Sequence, residues 1–272
     1  MDKNKVISEL KNQGFSLIKN VFSSKEMAII KNRLASYSKQ KHPGTVMEHD
    51  NQTARGLHGL HLFDDFFHEL SSDPRFRDLA FDFLKEPCYV HQFKVNVKRN
   101  TNGQAWPWHQ DFIYWQQDDG ITEHKLVNIG LLIDDVTMEN GPLKMLPGSH
   151  LKGELTDLTH ETNSWLDSLS KDLTYQVSPE TVNVLVEEHG LEYMTGKSGD
   201  VLMFDPMIVH SSSDNLSSSN RTFLIITFNA VSNAPPTGYH NIRPDFLCNR
   251  NSEPLMASKS AEYLKEKEVD QV

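Results

Sequence analysis

The sequence predicts an α+β protein whose centre is a β-sandwich or jelly roll, and three observations carry that prediction. Helical periodicity is concentrated before residue 87, while short strand-like runs bounded by turn signals dominate from residue 88. Residues 151–198, of mixed helical and polar character, interrupt the strand series as an insertion or lid would. The expected organisation is one domain over 1–272: a helical flank (1–87), a core (88–235) holding the insertion, and a carboxy-terminal extension (236–272).

Each element follows from local pattern. Residues 3–40 read as helix, short strand and helix, with Gly14 ending the first helix and Phe15–Ile18 alternating. Ser23 and Glu26 have capping-box spacing ahead of Met27, Ile30 and Leu34 at helical intervals. Residues 41–60, with His42, His49 and His58 and little periodicity, read as a loop. Asp73-Pro74 opens another helix, which ends before Pro87. Tyr89–Lys98 alternates, with Phe93, Val95 and Val97 on one face and Gln92, Lys94, Asn96 and Lys98 on the other. Leu126–Val136, Leu143–Leu146, Val201–Phe204 and Thr222–Val231 supply further strands, separated by turn signals such as Asn140-Gly-Pro and Pro147-Gly-Ser. The tail from Ala257 reads as a charged helix or frayed end.

Composition excludes several function classes. A chain of 272 residues buries roughly three-quarters of its unfolded surface, so its fold needs no disulfide framework, and two cysteines could not supply one. The net charge of −10 argues against nucleic-acid or anionic-membrane partners, which call for a basic footprint. No run approaches the ~20 apolar residues of a membrane span, and Met1–Val6 leads into no apolar signal segment. The expectation is a cytoplasmic protein with reduced thiols and a small-molecule substrate, monomeric or homodimeric.

The sharpest chemical signal is His109-Gln-Asp111, the single His-x-Asp or His-x-Glu among thirteen histidines. In an extended segment, residues two apart share a face, so imidazole and carboxylate can grip one metal. Alone, this pair is equally well a polar turn with a surface histidine. His210 ends a strand-like run from Gly199, and Arg221 opens the next strand. Two histidines and one carboxylate on one side of iron leave three positions open for a bidentate 2-oxo acid and dioxygen. A nearby guanidinium suits the distal carboxylate of such an acid, because it donates two parallel hydrogen bonds.

These blocks resemble the phytanoyl-CoA dioxygenase superfamily of Fe(II)/2-oxoglutarate-dependent oxygenases, and within it the ectoine hydroxylase branch. The likeness covers roughly residues 88–235 and is carried by Gln92-Phe-Lys-Val-Asn96-Val-Lys98, Trp108-His109-Gln-Asp111-Phe112-Ile-Tyr-Trp115 followed by Asp119-Gly120, Asn140-Gly-Pro-Leu143, Pro147-Gly-Ser-His150, and His210-Ser-Ser212-Ser-Asp-Asn215 with Arg221. The resemblance implies a double-stranded β-helix core of the cupin kind. It implies that His109, Asp111 and His210 bind Fe(II), and that Arg221, Ser212, Lys98 and Asn96 hold 2-oxoglutarate, with O2 as cosubstrate. It implies that Gln92 and Trp115 face the primary substrate. Ile225 stands where the branch places a substrate-packing aromatic, so the substrate side is altered while the iron and cosubstrate side is intact. Related halogenases lack the carboxylate ligand, so Asp111 points to hydroxylation.

The expected activity is hydroxylation of an unactivated C–H bond in a small polar or zwitterionic metabolite, such as an amino acid, an ectoine-like molecule or a natural-product intermediate, releasing succinate and CO2. Alternatives are the same chemistry on an acyl-CoA, a desaturation or cyclisation outcome, a Zn or Mn enzyme on a similar barrel, and a non-catalytic metal-binding sensor. Trp106, Trp108, Phe112 and Tyr114 are as readily packing residues, and His91, His124 and His150 read as structural or surface residues.

Overall fold

A computed structural model of the chain describes residues 2–40, 42–47, 54–100, 105–160, 173–239, 243–256 and 261–264. The amino-terminal part runs α1 (Lys3–Gln13), β1 (Phe15–Ile18) and α2 (Ser24–Tyr37), followed by β2 (Thr45–Met47), β3 (Ala54–His58), α3 (Leu60–Phe63), α4 (Asp65–Ser71) and α5 (Pro74–Leu84). The capping box forms as its spacing predicts: the Glu26 N–H donates to Ser23 Oγ and the Ser23 N–H to Glu26 Oε2, at 3.4 and 2.7 Å. Asp73 caps α5 with Pro74 in its first turn, as expected.

The core continues with β4 (Cys88–Lys98), β5 (Trp106–His109), α6 (Phe112–Asp119), β6 (Leu126–Leu132), β7 (Leu143–Met145), β8 (Thr156–Leu158), β9 (Tyr175–Val177), α7 (Pro179–His189), β10 (Glu192–Met194), β11 (Val201–Phe204), β12 (His210–Ser212) and β13 (Arg221–Ala230). Among the described residues, β1-β11-β6-β13-β4-β3-β2 form a major sheet and β10-β7-β12-β5 a minor one, with β8 and β9 paired alone. All of these pairings are antiparallel. The outer face of the major sheet packs Phe93, Val95, Leu131, Leu224 and Ile226 against Leu10, Ile30, Phe76 and Leu79 of the helices. Between the sheets lies a smaller apolar layer that includes Phe223, Ile225, Leu132, Phe204 and Met145. Two facing antiparallel sheets with one helix-covered flank are the double-stranded β-helix that the resemblance implies.

Four local expectations change. Residues 41–60 are not wholly a loop, because β2 and β3 extend the major sheet through Gly56↔Asn96, Leu57↔Val95 and His58↔Lys94. Their apolar alternation is thin because only Leu57 of β3 joins the helix-side core, so ladder pairing rather than side-chain pattern makes the strand. The flank therefore adds β2 and β3 to the sheet beside the expected strand β1. The insertion is shorter than 151–198, since β10 pairs with β7 as part of the minor sheet; its residues 161–172 lie outside the described residues. The tail shows a short 3-10 turn at Ala261–Leu264, and residues 257–260 and 265–272 lie outside the described residues.

The alternation of β4 also hides a β-bulge. Thr227 pairs with Gln92 but Phe228 pairs with Val90, so His91 is an extra residue in the ladder. Beyond it the outward positions switch from Phe93 and Val95 to Val90 and Cys88. Tyr89 and His91 thereby turn to the inner side with Gln92.

Candidate active site

His109 and His210 are direct cross-strand partners in the β5–β12 ladder, which places both imidazoles on one face. Their ring centroids lie 4.2 Å apart. His109 Nδ1 faces the Pro107 carbonyl at 2.7 Å and His210 Nδ1 the Ile208 carbonyl at 3.0 Å. A carbonyl only accepts, so each Nδ1 is the protonated nitrogen and each Nε2 keeps a free lone pair. Burial, with His210 beside it, lowers His109 to about 3, and burial lowers His210 too. Both rings are neutral, the form a metal requires.

Asp111 arrives by a different local geometry from the one its spacing suggests. It is not in an extended strand: β5 ends at His109, and Asp111 has helical dihedrals (φ −71°, ψ −33°) ahead of α6. Its N–H donates to the Pro206 carbonyl at 2.9 Å, which turns the chain so that Asp111 Oδ1 lies 3.8 Å from His109 Nε2. Oδ2 accepts a 2.8 Å hydrogen bond from Asn128 Nδ2, and Lys94 Nζ stands 3.7 Å from Oδ1. Burial alone would raise this carboxyl, but Lys94, the two imidazoles and Asn128 hold it at about 2. One ligand atom from each of His109, Asp111 and His210 lies within 4.8 Å of the others, and all three residues are buried.

A cavity between the sheets opens onto this cluster, and at one end sit Arg221, Lys98, Ser212 and Asn96. Arg221 and Lys98 are register partners. Lys98 Nζ donates to Ser212 Oγ at 2.8 Å and to the Ser213 carbonyl. Arg221 donates through Nη2 to the Gly141 carbonyl, while its buried Nε has no hydrogen-bond partner among the described residues. Gly141 has φ +80°, and a Cβ there would stand 2.5 Å from Lys98 Cδ, which explains the glycine of Asn140-Gly-Pro. Burial beside Arg221 lowers Lys98 to about 6, and burial lowers Arg221 to about 10. A buried guanidinium with one orphaned donor, beside a buried lysine whose protonated form an anion would favour, forms a receptor for an anion.

The other end of the cavity brings together Gln92, Trp115 and Ile225, as expected of them, with residues the sequence did not single out for a role in the site: Lys94, His58 and Arg243. Trp115 is buried on α6 and packs with Phe112, Ile121 and Leu126, so it is both wall and core. Gln92 is turned partly aside, because its Nε2 donates to the Leu247 carbonyl at 3.0 Å. Arg243 lies in the carboxy-terminal extension, a segment without readable motif, and no local signal could have found it. His58 could have been found only by recognising β3, since its pairing with Lys94 points both side chains inward. Trp106 also lines the cavity, with the Arg55 guanidinium 5.0 Å from its ring centre. Leu173, from the insertion, adds an apolar wall.

The donor set suits ferrous iron: two neutral imidazoles and one carboxylate on one side, with an anion receptor alongside. Each ligand is also oriented from behind by a backbone carbonyl or Asn128, the outer support that metal sites use.

The chain is similar to known proteins along most of its length. A model of the phytanoyl-CoA dioxygenase (PhyH) family matches residues 10–223. The L-proline trans-4-hydroxylase of Streptomyces griseoviridis is 38% identical over 247 residues, covering 89% of this chain and 91% of that protein. The ectoine dioxygenase of Sphingopyxis alaskensis is 30% identical over 248 residues, covering 87% and 79%. The crystal structure of EctD from S. alaskensis with 2-oxoglutarate and 5-hydroxyectoine superposes with a TM-score of 0.76 at 26% identity, covering 92% of this chain and 85% of that one.

Proposed function

This chain belongs to the phytanoyl-CoA dioxygenase family, and on that footing we propose that His109, Asp111 and His210 hold its Fe(II), that Arg221, Lys98, Ser212 and Asn96 hold 2-oxoglutarate, and that its primary substrate is a small cyclic imino or amino acid of the proline type. The enzyme is an Fe(II)- and 2-oxoglutarate-dependent dioxygenase that hydroxylates a small polar or zwitterionic molecule, with O2 consumed and succinate and CO2 released. The observation that carries the residue assignment is the convergence of two neutral imidazoles and one ionised carboxylate within 4.8 Å, beside the buried Arg221.

Iron(II), when bound, supplies the activation of dioxygen that couples decarboxylation of the 2-oxo acid to C–H hydroxylation. The protein's residues position and select. Arg221 Nε, without a partner among the described residues, is the donor available to the distal carboxylate of 2-oxoglutarate, with Lys98 beside it. Asn128 fixes the Asp111 carboxylate, leaving Oδ1 toward the imidazoles. At the opposite end, Arg243 is the counter-charge for a substrate carboxylate. His58, held neutral chiefly by burial and by the neighbouring Lys94 and Arg243, is an acceptor suited to an ammonium or imino N–H. Trp115, Ile225 and Leu173 supply the apolar walls for a compact ring. A zwitterion matches this division of charge, with cationic groups at both ends of the cavity and a neutral acceptor beside Arg243. The likeness to L-proline trans-4-hydroxylase supports the same substrate class.

The same reading makes residues 1–272 one catalytic domain, acting as a monomer or homodimer in a reducing cytoplasm, where the buried Cys88 and Cys248 remain free thiols. Sedimentation of the purified protein tests the oligomeric part.

The functional test is anaerobic addition of Fe(II) and 2-oxoglutarate, followed by aerobic turnover with L-proline, other cyclic imino acids and ectoine. A weak visible absorption from the metal–keto acid chelate is expected, then substrate-dependent succinate and a hydroxylated product by NMR. Loss of the absorption in Asp111→Ala and His210→Ala is expected; an unchanged band in both variants means the ligands lie elsewhere.

A further inference from the structure

The described residues contain a second buried convergence of ligand-type side chains, His91, Asp119 and Cys248, whose donor atoms lie within 4.8 Å of one another. His91, Asp119 and Cys248 are all fully buried. A metal is not what they hold. Arg243 Nη1 stands 3.4 Å from Asp119 Oδ2, so a guanidinium already occupies the cation's place, and burial pushes the Cys248 thiol up to about 12, keeping it protonated. The cluster is instead a scaffold around one carboxylate.

Its construction starts with the bulge in β4. The extra residue, His91, turns inward, and its Nε2 lies 2.9 Å from Asp119 Oδ2, while its Nδ1 meets Tyr89 Oη at 3.3 Å. Asp119 is the last residue of α6, the helix that opens after the Asp111 cap and carries Trp115. His91 packs edge-on against Trp115, ring centres 5.9 Å apart. Arg243 is then fixed from three sides: by Asp119, by the Leu247 carbonyl at 3.1 Å from Nη2, and by the Tyr114 carbonyl at 3.4 Å from Nη1. Asp118 Oδ2 lies further off, at 3.8 Å. The segment carrying Arg243 is tied to the same strand, because the Asn249 N–H donates to the His91 carbonyl and Asn249 Nδ2 to that of Val90.

We propose that Asp119, oriented by His91, is a positioning residue that aims the Arg243 guanidinium at the carboxylate of the primary substrate. This inference rests on the assignment of Arg243 to the substrate carboxylate made above. Its physical content is pre-organisation. A guanidinium in a cavity that also holds Lys94 would be repelled and would lose its hydration, and a fixed carboxylate behind it offsets both effects. The guanidinium then meets an incoming carboxylate without rotamer search or rearrangement. Thus the bulged inner face of β4, the end of α6 and the carboxy-terminal extension form one device, linking the metal-bearing segment to substrate capture.

The test uses the full chain loaded with Fe(II) and 2-oxoglutarate, with L-proline as probe. Binding is read from the change in the chelate absorption, and turnover from succinate. Asp119→Asn is expected to weaken L-proline binding and raise its KM by about tenfold or more, with the KM for 2-oxoglutarate and the chelate band unchanged. Arg243→Gln should do the same, and the double variant no more than either alone. Should Asp119→Asn fail to fold, as a melting curve would reveal, His91→Gln carries the test: its amide still reaches Asp119, so a smaller rise in KM at preserved kcat is expected. If Arg243→Gln weakens L-proline but the Asp119 and His91 variants do not, or if the effects add, the positioning role is overturned alone. If wild type does not respond to L-proline, or Arg243→Gln leaves its KM unchanged, the substrate assignment falls and the inference with it.

Discussion

Gln92 and Arg243 donate to the same acceptor, the Leu247 carbonyl, through Nε2 at 3.0 Å and Nη2 at 3.1 Å. A residue of the central β4 strand and one from the carboxy-terminal extension, far apart in sequence, thereby share one anchor at the substrate end of the cavity. Gln92 commits one Nε2–H to this anchor and keeps Oε1 and its second N–H for a substrate, so one of its tasks is to hold the segment that carries Arg243. Gln92→Ala removes one neutral hydrogen bond, and the KM for the primary substrate should rise about fivefold, or ~1 kcal/mol. Gln92→Glu, which sets a carboxylate against a carbonyl, should cost more. Steady-state kinetics check both, and a Glu variant milder than Ala would contradict the arrangement.

Asn128 acts on the metal through Asp111. Its Nδ2 donates to Asp111 Oδ2, and its Oδ1 accepts from Thr227 Oγ1 at 2.7 Å, so the amide cannot flip without losing both bonds. Replacing Asn128 by Leu should lower Fe(II) affinity by about 10- to 100-fold, measured by anaerobic titration of the chelate absorption. Iron binding as tight as wild type would show that Asp111 needs no such support.

Lys98 should take up a proton when 2-oxoglutarate binds. Burial beside Arg221 lowers it to about 6, so near neutral pH the cosubstrate-free lysine is mostly uncharged. The dianion favours the ammonium form and returns the pKa toward its ordinary value of about 10.4. Binding then draws close to one proton from solution, and affinity falls by up to about tenfold per pH unit above 6. Calorimetry in buffers of different ionisation enthalpy measures the uptake, which Lys98→Met should abolish. Equal uptake in that variant would assign the proton to another group.

Arg221→Leu should raise the KM for 2-oxoglutarate by about 30- to 150-fold, the loss of ~2–3 kcal/mol for a charge-assisted pair, while the KM for the primary substrate changes little. The two ends of the cavity separate these effects, because Arg221 pairs with Lys98 at one end of β4 while Arg243 shares the Leu247 carbonyl with Gln92 toward the other. An unchanged cosubstrate requirement would assign the distal carboxylate to a different cation.

Gly130 of β6 lies opposite Ile225, and a Cβ on it would come within 2.2 Å of the Phe223 ring. Gly130→Ala should push that ring into the cavity it lines, destabilising the fold by about 1–3 kcal/mol and raising KM values together. Thermal melting with kinetics checks this, and a variant with wild-type stability and kinetics would mean the ring has room to move aside.

The sequence by itself determined what was written locally. The capping box of Ser23 and Glu26, the helix after Asp73, the strand of Tyr89–Lys98, and the chemistry latent in His109, Asp111, His210 and Arg221 all follow from spacing and residue type within short windows. Resemblance added the identity of the cofactors. Tertiary structure decided the rest, because it depends on pairing between distant segments. Ladder register set His109 beside His210, and a helical turn rather than an extended strand delivered Asp111. Edge pairing made β3 from an aperiodic segment and turned His58 inward. One extra residue in β4 reversed the inside–outside order at His91, which no alternation of apolar residues records. Arg243 is fixed at the cavity by long-range contacts with the Tyr114 carbonyl and the buried Asp119 carboxylate. Hydrophobic period reports which face of an element is buried; it cannot report which distant polar groups meet there.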